Sequence, residues 1–408
     1  MGVKKSDNDI ILDVQMRGCA NVQIFLDVQI CVCANVRIFL IKGWVIHLHI
    51  CTSSHLHIRR FAHPHICISA HPKKSAHLHI RTSAHYMILV TGATGFLGSE
   101  LAIQLVNAGN AIRCTKRGSS VIPQLLIPYY DKIEWVDANM LDIFALEDAL
   151  DGVTQVYHCA AWVSLMQKDK QAMIRTNVTG TANVVNLCTE RNIRLLHVSS
   201  IAAIGQALRG KLINENTHLD ETSEDDGYAI SKLHSEMEVW RGIAEGLDAA
   251  IVNPSLIIGP NSGTAGTGQL FITVRRGLKF YTQGTGGFVD VEDVAKCMIA
   301  LMNSEISSER YIISAENISY KNITSQIADG FGLERPSMLA KPWVMGLVWR
   351  SATVLATISG SDSKMDKVAA QTASLTNNYD NSKIKAAIGI EFKPISETVK
   401  EVCAALKK

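Results

Sequence analysis

Met87-Ile88-Leu89-Val90-Thr91-Gly92-Ala93-Thr94-Gly95-Phe96-Leu97-Gly98 is the stretch from which the rest of this 408-residue chain is read. The apolar run to Thr91 predicts a short buried strand, and glycines at every third position predict a tight turn. Leu97, Leu101, Ile103, Leu105 and Val106 then recur at mostly helical spacing until Asn107-Ala108-Gly109, a stop signal. Strand, glycine turn and helix in this order make an anion cradle. Glycine lets the backbone approach a pyrophosphate closely, while the free N–H groups and dipole of the helix N-terminus favour negative charge. The spacing is GxxGxxG rather than GxGxxG.

Downstream, apolar runs at Ala111 to Cys114, Ile133 to Val136, Val153 to Tyr157, Leu195 to Val198 and Ala249 to Val252 alternate with helical patterns. Alternation of this kind predicts an α/β fold, a doubly wound parallel sheet covered by helices on both faces. A carboxylate about 20 residues past the glycines would suit the ribose of NAD. Here the second strand runs into Cys114-Thr115-Lys116-Arg117-Gly118-Ser119-Ser120, so NADP is favoured, with NAD as the alternative.

The sequence before Met87 is of another kind. Ten of the 14 histidines and five of the ten cysteines lie there, and its ten Lys/Arg against four Asp/Glu leave it at +6 and the remainder at −4. Cys19-Ala-Asn-Val-Gln-Ile-Phe-Leu26 returns as Cys33-Ala-Asn-Val-Arg-Ile-Phe-Leu40, and His-x-His-Ile recurs from His47, His55, His63 and His77. Such short units lack the turn punctuation of a solenoid. Residues 1–86 are therefore expected to be a disordered low-complexity extension, repetitive DNA read in frame, with the working protein starting at Met87. Metal binding by the His-x-His pairs and membrane association of Val28 to Ile50 are weaker alternatives.

At 47% hydrophobic and 19% charged residues, the chain is neither wholly disordered nor collagen-like nor a disulfide scaffold. The mildly acidic body argues against nucleic acid. Cys114, Cys159, Cys188, Cys297 and Cys403 are widely spaced, which predicts reduced thiols, no metal site and a cytoplasmic location.

The order of six motifs then carries a resemblance: Thr91 to Gly98, His158-Cys-Ala-Ala161, Asn177-Val-Thr-Gly-Thr181, Ser199-Ser200-Ile-Ala-Ala-Ile-Gly205, Tyr228-Ala-Ile-Ser-Lys232 and Asn253-Pro-Ser-Leu-Ile-Ile-Gly-Pro260. Residues 87–408 resemble the extended short-chain dehydrogenases/reductases, in the NAD(P)-dependent epimerase/dehydratase family and its dihydroflavonol-reductase-like branch. The resemblance implies a Rossmann-type cofactor domain over 87–260 and a smaller, mainly substrate-binding lobe over 261–408, some of which returns to the first domain.

Tyr228 and Lys232, spaced i, i+4, share one helix face, and an ammonium beside a phenol would lower its pKa toward the working range of a general acid/base. Ser200 offers a hydroxyl to the substrate oxygen. By resemblance, Lys232 also binds the nicotinamide ribose and Asn177 supports it through water. Gly92, Thr94, Gly95, Phe96, Leu97, Gly98, Arg117, Asn139, Met140, Ala160, Ala161, Pro254 and Ile257, together with Tyr228 and Lys232, would contact the cofactor. Three departures are noted: Asn139 where the family often has aspartate, Ile204 where many sugar-nucleotide epimerases carry tyrosine, and Asn253 where they often carry arginine. These lean toward a reductase of carbonyl compounds. Asp290 and Asp293 are read as structural.

The expectation is thus an NADP-dependent oxidoreductase acting on a small molecule, with an epimerase or dehydratase and a non-catalytic dinucleotide sensor as alternatives, and with a homodimer left open. Pro342 to Ile358 is expected to be a core or lid helix, Gly263 to Gly268 a flexible loop, and Ile395 to Leu406 a surface helix.

Overall fold

The computed structural model describes the backbone of residues 3–6, 9–14, 22–26, 29–33, 36–41 and 44–48, and in full residues 87–164, 166–205, 211–217, 226–263, 266–340 and 375–407. The chain divides into two units, Met1–Tyr86 and Met87–Lys408. In the first, six short strands pair as two antiparallel three-stranded sheets. The two copies of the repeat lay their Val-x-Ile-Phe-Leu segments on the strands Val22–Leu26 and Val36–Ile41, as β-branched and aromatic residues favour. The sequence alone suggests no elements there. The His-x-His pairs from His49 onward and the expected helix from Pro342 to Ile358 lie outside the described residues, as do Thr264 and Ala265 of the expected loop.

In the second unit the described strands of the main sheet are β1 (Met87–Thr91), β2 (Ile112–Lys116), β3 (Ile133–Asp137), β4 (Val153–His158), β5 (Arg194–Val198), β6 (Ala249–Pro254) and β9 (Glu309–Ile313). All seven are parallel, in the order β9-β6-β5-β4-β1-β2-β3. Winding outward from β1 to β3 and then back to β4 creates a switch point between β1 and β4, where an α/β sheet opens a crevice at its carboxyl edge.

The alternation of side chains along each strand feeds two cores. Ile88 and Val90 of β1 face one way, with Leu196 of β5 and Val252 of β6, and meet Leu101 and Leu105 of α1 (Phe96–Asn107) and Met298 and Leu301 of α6 (Val291–Met302). Leu89, Leu195 and Ile251 face the other way. They meet Leu146 of α2 (Ile143–Ala149), Val184 and Val185 of α3 (Lys170–Arg191) and Val239 of α4 (Gly227–Ala244). Strands buried on both faces need continuous apolar runs, which is why the runs were legible.

The strands β7 (Leu256–Ile258), β8 (Thr285–Asp290) and β10 (Glu316–Ser319) form a small mixed sheet. It is covered by α5 (Gly268–Arg275), α7 (Tyr320–Phe331) and α9 (Ile395–Lys407), while α8 (Ser382–Ile388) returns Ile384 to the α1 side of the main core. The final helix thus forms where the apolar spacing predicts it. Among the described residues no helix is long and apolar enough to cross a membrane.

Candidate active site

The glycine turn closes on itself at the switch point. Gly92 has φ +70°, and a Cβ there would lie 2.7 Å from both Cα and N of Ala160, at the end of β4. A Cβ on Gly98 would run into the Gly92 carbonyl, so α1 packs directly on the turn. Gly95 N–H donates to Gly92 O at 2.9 Å, and α1 begins at Gly95 with no side-chain cap and no acidic residue in its first turn. Uncapped N–H groups and an unneutralised helix dipole beside a side-chain-free turn fit the pyrophosphate of a dinucleotide. Phe96 borders Gly259, and Leu97 is buried in the core beneath. Thr94 and Ala161 are half-buried beside these turns.

Beyond β2, Arg117 is exposed in a tight turn: Ser120 N–H donates to Arg117 O at 2.7 Å, and Arg117 N–H donates to Ser120 Oγ at 3.3 Å. Asp137, from the end of β3, places Oδ2 2.8 Å from where a Cβ on Gly118 would sit. Spacing from the glycines misses this carboxylate because it arrives from the neighbouring strand. Asn139 Oδ1 accepts from Leu141 N–H at 3.1 Å, so its side chain closes its own turn. Met140 packs against Gly180 of α3, and its carbonyl accepts from Asn183 at 3.0 Å. Pro254 is buried at the end of β6, and Ile257 O accepts from Thr267 Oγ1 at 2.6 Å.

At the carboxyl edge of β5, Ser200 comes next to the phenol of Tyr228, near the start of α4. Asp226 caps that helix, its Oδ1 accepting from Tyr228 N–H at 3.1 Å and Ala229 N–H at 3.0 Å. Lys232 follows one turn later, 5% exposed, and Nζ donates to Val198 O at 2.9 Å. The structure therefore brings Ser200, Tyr228 and Lys232 together.

One expectation requires correction. Burial raises the Tyr228 phenol above its ordinary value of 10.0, the adjacent Ser200 hydroxyl lowers it and Asp226 raises it further; no lowering by Lys232 enters. Lys232 is instead the group pulled down, to about 8, by its own burial. Asn177, on α3, makes direct bonds of its own. Its Nδ2 donates to Trp162 O at 2.8 Å and Ser231 Oγ at 2.7 Å, and its Oδ1 accepts from Trp162 N–H at 2.7 Å. Asn177 thus ties α4, next to Lys232, to the 161–162 loop by direct bonds.

A buried polar layer supports these groups. His158 contacts Thr91 Oγ1 at 2.8 Å through Nδ1 and Thr181 Oγ1 at 3.2 Å through Nε2, while Thr91 Oγ1 accepts from Ala160 N–H at 3.3 Å. Burial pushes His158 down to about 3, so the ring is neutral. The glycine turn and the β4 end are thereby pinned to α3. Glu236, one turn beyond Lys232, accepts from Ser199 Oγ at 2.6 Å, Asn253 Nδ2 at 2.8 Å, Arg310 Nη1 at 3.0 Å and Trp240 Nε1 at 3.2 Å. Sequence reasoning missed Glu236; its place at i+4 from Lys232 and i+8 from Tyr228 was the available signal.

Ile204 is fully buried with Ile213, Ile312 and Tyr379. Asp290 accepts from Glu292 N–H at 2.7 Å and Thr398 Oγ1 at 2.6 Å, and Asp293 from Lys296 at 2.9 Å and Lys393 N–H at 2.6 Å. Both carboxylates bind their own fold.

The model of the NAD dependent epimerase/dehydratase family matches residues 88–314. The chain is 31% identical over 320 residues to the "Putative dihydroflavonol 4-reductase" of Synechocystis sp., covering 76% of this chain and 91% of that one. It is 26% identical over 344 residues to cinnamoyl-CoA reductase 1 of Petunia hybrida, covering 79% and 92%. Among solved structures, the crystal structure of gox2253 has a TM-score of 0.69 at 28% identity, covering 79% of this chain and 98% of that one. The Bordetella bronchiseptica enzyme WbmH in complex with NAD+ shares the fold, with a TM-score of 0.63 at 18% identity and coverage of 79% and 99%. The chain belongs to the NAD-dependent epimerase/dehydratase family, extended short-chain dehydrogenases/reductases whose NAD(P)-dependent chemistry falls on CH–OH or carbonyl carbons.

Proposed function

We propose that this protein is an NADP-dependent reductase of a small carbonyl compound. The observation that carries the reading is the Ser200–Tyr228 hydroxyl pair, with Lys232 buried one turn away, at the carboxyl edge of the sheet that holds the glycine cradle. When bound, the nicotinamide supplies the hydride. Ser200 holds the substrate oxygen, and Tyr228 donates a proton to it as charge develops there. A phenol raised above its ordinary value is protonated at neutral pH, which suits a proton donor and hence the reductive direction. Lys232 would hold the nicotinamide ribose, and Asn177 keeps α4 in register with the 161–162 loop.

The NADP preference rests on Lys116 at the end of β2 and Arg117 in the turn after it, with Ser119 and Ser120 as further donors. Asp137 beside that turn opposes it, so the ratio of KM values for NADPH and NADH decides. Residues 87–260 would be the cofactor domain and 261–408 mainly the substrate lobe.

The experiment follows nicotinamide absorbance with NADPH and NADH against a panel of flavonoid, thioester, steroid and sugar-nucleotide substrates. Stoichiometric consumption supports a reductase. Product formation without net consumption points to an epimerase or dehydratase, and cofactor binding without turnover to a sensor. Tyr228→Phe is expected to lower kcat about 10²- to 10⁴-fold; unchanged turnover refutes the proton-donor role.

A further inference from the structure

Glu236 is 1% exposed and accepts hydrogen bonds from four side chains, two of which lead to Ser200. Ser199, whose Oγ donates to Glu236 at 2.6 Å, is the residue before Ser200. Asn253 donates from one amide nitrogen to Glu236 at 2.8 Å and to the Ser200 carbonyl at 3.0 Å. The carboxylate therefore holds the Ser200 backbone from both sides, across the gap between β5 and β6.

Its counter-charge is fixed as firmly. Arg310 Nη1 meets Glu236 at 3.0 Å, while its Nε donates to Glu215 O at 2.9 Å and its Nη2 to Thr217 O at 3.0 Å. On the outer side the pair borders a cavity of about 460 Å³ whose other charged groups are Glu215, Glu309 and Lys383. A hydrophobic core would cost less than this buried pair. Its placement under the reacting hydroxyls calls for a role beyond stability.

We propose that Glu236 is a positioning residue for the proposed reduction: it holds Ser200 in place through Ser199 and Asn253, and it sets a carboxylate one helical turn from the Lys232 ammonium. The proposal rests on the functional reading above. Burial lowers the Lys232 ammonium, and Cys159 beyond the end of β4 and then Glu236 on its own helix raise it, while Lys232 in turn lowers His158 and His197. Burial holds both imidazoles neutral and pushes the Cys159 thiol up to about 12, which leaves Glu236 as the anion beside the ammonium.

The test uses the full chain labelled with [ε-13C]lysine, the Lys232 signal being identified by its loss in Lys232→Arg. The signal is titrated without cofactor, and kinetics are run in parallel. Glu236→Gln is expected to lower the Lys232 midpoint by about one pH unit. The same change should lower kcat about tenfold while leaving KM for both substrates within about twofold. Ser199→Ala, which leaves the Glu236–Arg310 pair in place, should lower kcat about fivefold with the Lys232 midpoint unmoved. An unmoved midpoint in Glu236→Gln overturns the proposal whether or not a substrate has been found. Unchanged kcat in Ser199→Ala overturns it even if Glu236→Gln fails to fold. Absence of any NADPH consumption by the wild type refutes the reductase reading instead, and the titration still decides the charge coupling.

Discussion

Gly92→Ala is a sharp perturbation of the cofactor cradle. Alanine at φ +70° costs about 1–2 kcal/mol in backbone strain alone. The new methyl would also sit 2.7 Å from Cα and N of Ala160 and 2.8 Å from the carbonyl carbon of Cys159, all backbone atoms. They have little room to retreat, because Cys159 N–H donates to Thr91 O at 3.2 Å and Ala160 N–H to Thr91 Oγ1 at 3.3 Å. Relief of the clash adds about 1–3 kcal/mol, for a total of about 2–5 kcal/mol. At about 2 °C per kcal/mol for a unit of this size, the melting temperature should fall by about 4–10 °C. NADPH binding, followed by quenching or enhancement of nicotinamide fluorescence, should weaken at least about tenfold as the turn shifts off the helix N-terminus. Gly109→Ala is the control: φ is +81° but nothing lies within 4 Å of the added methyl. It should cost about 1–2 kcal/mol and leave binding unchanged. Equal melting temperatures for the two variants, or normal NADPH binding by Gly92→Ala, would refute the close-approach argument.

Three further outcomes are expected. Gly180→Ala drives a methyl to 2.5 Å from Met140 Cγ and should cost about 1–3 kcal/mol by denaturant melts, with a favourable coupling of at least about 1 kcal/mol in the double variant with Met140→Ala. Asp290→Asn breaks a buried carboxylate that serves Glu292 N–H, Thr398 Oγ1 and, at 3.4 Å, Lys393. It should cost about 2–3 kcal/mol yet leave kcat and NADPH affinity unchanged, and a kinetic defect in the folded variant would contradict its structural assignment. His158 is held down to about 3 and His197 also below its ordinary value, whereas in the unfolded chain both titrate near 6.5. Between about pH 6.5 and 3 the unfolded state binds more protons, so stability should fall as pH drops through that window. His158→Gln should flatten the slope in urea midpoints taken from pH 7 to 4.5, and an unaltered slope would remove His158 as its source.

What was legible in the sequence was what repeats along it. Buried parallel strands need apolar residues on both faces, so Met87 to Thr91 and the later runs announced themselves without homologues. The glycine spacing announced the cradle for a related reason: Gly92 and Gly98 are needed where backbone meets backbone, a demand imposed within a few residues of chain. Tyr228 and Lys232 were found because a helix converts a spacing of four into one face.

The tertiary structure decided everything carried between strands. Asp137 enters the turn after β2 from β3, a neighbour in the sheet order rather than in spacing from the glycines. Glu236 gathers Ser199, Asn253 and Arg310, which come from positions 37, 17 and 74 residues away. The electrostatics of the site were likewise out of reach of the sequence. The i, i+4 rule brings an ammonium near a phenol, but the sign of each pKa shift depends on desolvation, and desolvation is set only when the folded chain buries each group. Sequence by itself determined the sheet, the cradle and the candidate side chains for the chemistry, because these follow from local periodicity. Packing alone determined which of them are buried, what they hold and which way their protons lean, because burial is a property of surfaces that meet only in the folded chain.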